Sequence, residues 1–155
     1  MRRLDTAYFA ILGVAFLVAG VASLLLGVSG GSFEFGPLAI AGPFSIWRGA
    51  VVVSTGAFYL AATNGGIADR EDQALVFMGS LMIWIVGGME VLSILLGAIP
   101  GSPDVWLASP AGFLAAVAPP YPPSVLGLVL TLPAFRYTED GMVRNLRRLV
   151  GRNGR

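Results

Sequence analysis

The sequence predicts an all-α integral membrane protein: a four-helix bundle of two tandem helical hairpins, followed by a C-terminal amphipathic surface helix. Three observations carry this reading. Of 155 residues, 55% are hydrophobic and 12% charged, about half the charged fraction of an ordinary soluble domain. Mean hydropathy is +0.77. Uncharged runs long enough to cross a bilayer recur along the chain, and a span needs about 20 mostly apolar residues.

The first such run is the 28 residues from Thr6 to Phe33, predicting a helix over 7–28. It is too long for a signal-peptide core and lacks a small-residue cleavage site before a polar mature region, so it is retained in the fold. The second helix must include a charge. Gly49 to Ala62 offers only 14 residues, so the helix starts before Arg48 and runs over 44–63. Arg48 then lies roughly 6 Å along its axis. The third helix is predicted over 74–97 and contains Glu90; Asp69, Glu71 and Asp72 at its start suit the positive end of a helix dipole. Asp104 and Arg136 enclose 31 uncharged residues, but Pro119, Pro120, Pro122 and Pro123 forbid one continuous helix. The expectation is an interfacial segment over 105–118, then a short fourth helix over 123–137 that starts at the second proline pair and is kinked near its end by Pro133. These segments make a transmembrane domain of residues 1–137 and leave a basic cytoplasmic tail, 138–155.

Nine of the ten Arg lie before helix one, between helices two and three, or after helix four. The positive-inside rule therefore places both termini in the cytoplasm and the protein in the cell membrane as a multi-pass chain. A shift of 70 residues aligns 23–44 with 93–114 at eight identities in 22 positions without a gap. Ser23–Gly27 faces Ser93–Gly97, and Ala41-Gly42 faces Ala111-Gly112. An internal duplication would give two halves of like orientation; recurrent low complexity in apolar helices is the rival explanation.

The composition excludes much chemistry. The chain has no Cys, no His and no Lys. Thiolate metal sites, histidine-ligated haem or copper, and Schiff-base cofactors cannot be built from it alone. No phosphate loop appears, and its Ser and Thr residues have no neighbouring base to activate them. No enzyme, cofactor, metal site or nucleic-acid partner is expected.

Packing and charge motifs remain. Gly13, Gly20 and Gly27, and again Gly42, Gly49 and Gly56, recur every seven residues, close to two helical turns. They predict small-residue stripes that let helices one and two approach closely, with an oligomer interface as the alternative use of one stripe. Arg48 and Glu90 are the two charges inside the apolar runs, each expensive alone. They are read first as an ion pair, and otherwise as a partner-facing charge, a proton or ion site on Glu90, or an Arg that snorkels. Trp47, Trp106, Tyr121 and Phe33 fall where interfacial anchors belong. In the tail, Thr138 can cap a helix whose Met142, Leu146, Leu149 and Val150 form one face. Arg144, Arg147, Arg148 and Arg152 crowd the others, a pattern that lies on anionic membrane surfaces. The functional expectation is a non-catalytic accessory subunit of a larger membrane complex, respiratory for example, or a homo-oligomer. The alternative is a small oligomeric transporter or channel using Glu90. The partners are the lipid bilayer and other membrane subunits.

Overall fold

Helix α1 begins at Arg2, before the apolar run, and carries Asp5 in its first turn, where a carboxylate favours the helix dipole. It continues to Ser29, and its end is cut sharply. Gly30 takes φ +69° and the Gly31 amide donates to the Leu26 carbonyl at 3.0 Å, the bond of a Schellman cap. This is a computed structural model, describing residues 2–42, 44–99 and 107–137. Among these residues are five α-helices, one 3-10 helix and two short strands.

The connection after α1 folds into a hairpin that the sequence reading does not contain. Strands β1 (Phe33–Phe35) and β2 (Leu38–Ile40) pair antiparallel, with Phe35 opposite Leu38. Gly36 stands first in the two-residue turn at φ +56°, the position that favours glycine in such hairpins. Helix α2, Ser45–Thr63, follows Gly42 at φ +91°, and the Ser45 hydroxyl donates back to the Gly42 carbonyl at 2.7 Å.

Helix α3 spans Arg70–Ala98 with Glu71 and Asp72 in its first turn. It starts four residues earlier than its apolar run, because acidic residues stabilise a first turn whether or not that turn is buried. Its 29 residues reach about 43 Å. Helix α4, Pro110–Val117, occupies the expected interfacial segment; Ser109 caps it by accepting from the Gly112 amide, and Pro110 opens its first turn. No α4 residue is buried.

The fourth expected helix is shorter than the sequence suggests. Helix α5 covers only Pro123–Leu130; after Thr131 the chain tightens into a 3-10 turn, Leu132–Phe135. Pro133 is the cause: it offers no amide to the α-helical ladder, and its ring clashes with the carbonyl four residues back. Eight α-helical and four 3-10 residues reach roughly 20 Å together, short of a 30 Å hydrocarbon core.

The helices pack in the order α1–α2–α3–α5, and α5 returns to α1. The Tyr8 hydroxyl donates to the Leu130 carbonyl at 2.6 Å, and Arg136 meets Asp5 at 3.6 Å. At the other end, Tyr121 joins β2: Ala39 donates to the Tyr121 carbonyl at 2.8 Å, and Tyr121 donates to the Pro37 carbonyl at 2.7 Å. The core is small and aromatic, with Phe9 and Phe16 of α1 packed on Tyr59 of α2 at ring separations of 5.1 and 5.9 Å. Outside it the surface stays apolar. Ile11, Val14, Val18, Val21, Leu25 and Val28 on α1 are exposed, as are Met78, Ile85, Met89, Leu92 and Leu96 on α3. The helices over Leu4–Ser29 and Arg70–Ala98 are long and apolar enough to cross a membrane.

Candidate functional site

Three helices meet at one polar cluster. Arg48, in the first turn of α2, directs its Nε to Glu90 Oε1 on α3. The Ser124 hydroxyl, at the start of α5, donates to Glu90 Oε2. Arg48 is 8% exposed and Ser124 fully buried. Each carboxylate oxygen therefore has a donor, one of them charged, and the two charges neutralise each other. A part-buried charge pair of this kind is tolerable because both carboxylate oxygens accept hydrogen bonds in addition to the Coulomb attraction.

Glycines let α5 come close enough for Ser124 to reach Glu90. A methyl group added at Gly87 would lie 2.5 Å from the Ser124 carbonyl oxygen, and one at Gly127 would lie 2.8 Å from Ile83. Neither glycine belongs to the seven-residue series, so periodicity alone did not find them. Ser124 was missed because it follows two prolines and read only as part of a helix start.

The stripe glycines sort into two kinds. A methyl group at Gly20 would lie 2.6 Å from the Val53 amide, and one at Gly49 2.9 Å from the Gly20 carbonyl. At Gly56 it would lie 2.7 Å from the Gly13 carbonyl, and at Gly27 2.9 Å from the Ile46 amide. Gly13 itself faces Leu60 and the Tyr59 Cβ at 3.1 Å. These five line the α1–α2 contact, where backbone meets backbone. Gly42 does not join them: nothing lies within 4 Å of its missing Cβ, and its positive φ makes it a turn glycine before α2.

A second polar layer lies further along α2 and α3. The Tyr59 and Ser80 hydroxyls are 2.6 Å apart, Ser80 also donates to the Val76 carbonyl, and Thr55 donates to the Gly79 carbonyl at 3.2 Å. Gly79 in turn lies against the Tyr59 ring. On α3, Trp84 stacks on Phe135 with centroids 4.1 Å apart. Its Nε1 is the one side-chain polar atom, among the described residues, that is buried without a partner.

Of the expected interfacial aromatics, Phe33 and Trp47 are exposed, and Tyr121 is half-buried with its hydroxyl donating to the Val117 carbonyl. Trp106 and the tail arginines Arg144, Arg147, Arg148 and Arg152 lie outside the described residues. Among the described residues, no group of three or more acidic side chains is placed to hold a metal ion. The arrangement as a whole ties helices together at two levels. No known protein family matches the chain, and no curated protein or solved structure is detectably similar to it.

Proposed function

We propose that the protein is a multi-pass protein of the cell membrane that acts by packing: a non-catalytic accessory subunit of a larger membrane complex, or a homo-oligomer. One observation carries this reading. Polar side chains make interhelical ties, Arg48 and Ser124 to Glu90 and Tyr59 to Ser80, while large apolar side chains cover the outward faces of α1 and α3. A soluble monomer rarely exposes so extended an apolar surface; lipid or neighbouring subunits would cover it. Ties among Ser, Thr, Tyr and charged groups hold helices together where the hydrophobic effect between them is absent.

In this reading the chain crosses the membrane four times, with α2 and the α5 segment as the shorter passes. Both termini are cytoplasmic, and the tail lies on the inner surface. The shorter passes would be completed by local thinning or by their neighbours. The two halves descend from one duplicated hairpin. Supporting this, α1 and α3 have 28 and 29 residues and start at Arg2 and Arg70, close to the 70-residue shift of the sequence match.

The test is gentle solubilisation from native membranes at native expression, followed by mass spectrometry of what copurifies. A defined membrane complex, or a multiple of this chain, is the expected result. A monodisperse lone monomer would overturn the proposal.

A further inference from the structure

Arginine carries five N–H donors in a rigid fork, and Arg48 spends one of them. Its Nε faces Glu90, while Nη1 and Nη2 donate to no described residue. They are not sealed in either, since the polar atom that is buried and unpartnered among the described residues is Trp84 Nε1. The side chain is 8% exposed and holds four further donors, unspent among the described residues, at the first turn of α2. Phe44 and Trp47, at the N-cap and in the first turn of α2, are exposed, as are Met89 and Leu92, close in sequence to Glu90 on α3.

We infer that the Arg48 guanidinium binds the phosphate group of a phospholipid. Two non-bridging phosphate oxygens match the two terminal nitrogens of a guanidinium as a bidentate pair. The exposed Phe44 and Trp47 of the same turn offer apolar surface for the acyl chains, and Trp is the usual residue of the headgroup region. Glu90 cancels the charge of Arg48, so the site selects by hydrogen-bond geometry and not by net charge. It takes zwitterionic and anionic phospholipids alike, which separates it from a polybasic surface patch. The lipid as source of the phosphate rests on the membrane reading; the phosphate chemistry of the fork does not.

The test uses the wild-type protein, stripped of lipid in a sugar-based detergent and melted with one additive at a time: phosphatidylethanolamine, phosphatidylglycerol, a galactolipid with the same acyl chains, or millimolar inorganic phosphate. Both phospholipids should raise Tm by several degrees and the galactolipid should not. An equal rise with galactolipid, or a rise with phosphatidylglycerol alone, overturns the site. A rise with inorganic phosphate equal to that with phospholipid supports the fork and assigns it to free phosphate. No shift with any phosphate-bearing additive refutes it. Native mass spectrometry adds a second readout: wild type retains a phospholipid that Arg48→Lys, which keeps the charge opposite Glu90 but lacks the fork, does not. If Arg48→Lys fails to fold, the wild-type lipid comparison decides alone. A protein that needs detergent yet shows no phosphate preference loses only this site. One that stays in solution without detergent loses the membrane reading, and its inorganic phosphate melt then decides the site.

Discussion

Glu90 is held by two donors from two different helices, so removing its charge leaves Arg48, 8% exposed, without a counter-charge. Glu90→Gln should lower stability in detergent by about 3 kcal/mol, the cost of breaking a buried pair from one side. Replacing both partners, Arg48→Met with Glu90→Leu, should recover much of that loss because no orphaned charge remains. Thermal melts of the three proteins measure both effects; an unchanged Glu90→Gln melt would refute the clamp. Ser124→Ala removes the hydroxyl alone and should cost about 1.5 kcal/mol, as for a hydrogen bond to a charged acceptor. At this scale the sequence was informative about charge and silent about geometry. Arg48 and Glu90 stand out because a charge in an uncharged run is rare. Serine is common in apolar helices, and nothing in its sequence setting marks Ser124 as a partner from 34 residues away.

The elements tell a similar story about what one-dimensional pattern can reveal. The seven-residue glycine series marked the α1–α2 contact because two helices that follow one another can match in period. The α3–α5 approach rests on Gly87 and Gly127, one per helix at the contact, with no period to detect. The hairpin escaped because Phe-Glu-Phe alternates over just three residues, too few to separate a strand from a loop. The early starts of α1 and α3 escaped because the apolar run measures a hydrophobic layer, and helices need not stop at its edge. Two glycine substitutions separate packing from propensity. Gly56→Ala puts a methyl group 2.7 Å from the Gly13 carbonyl and should cost about 1–3 kcal/mol through forced separation of α1 and α2. Gly88→Ala, on α3 with nothing within 4 Å, should leave stability unchanged or raise it by about 0.5–1 kcal/mol through helix propensity. Thermal melts in one detergent compare the two; equal effects would mean that the close approach at Gly56 carries no packing energy.

For the molecule as a whole, the proposed topology makes a prediction about sides. The chain contains no Cys, so Glu34→Cys and Arg152→Cys each introduce a single reactive thiol. In intact cells an impermeant maleimide should label position 34, in the exposed hairpin, and should reach position 152 only after permeabilisation. Labelling of position 152 in sealed cells would invert the topology. The backbone pairing of Leu38 with Tyr121 bears on how such a chain is made. These partners lie on the connections of opposite halves, so the small sheet waits for most of the polypeptide to leave the ribosome. By then α1 and α2 can already have met along their glycines, with Arg48 in place before α3 delivers Glu90. The hairpin edge is thus completed late in biogenesis, and until Tyr121 arrives β2 remains an open strand that a chaperone, an insertase or a stray neighbour could occupy first.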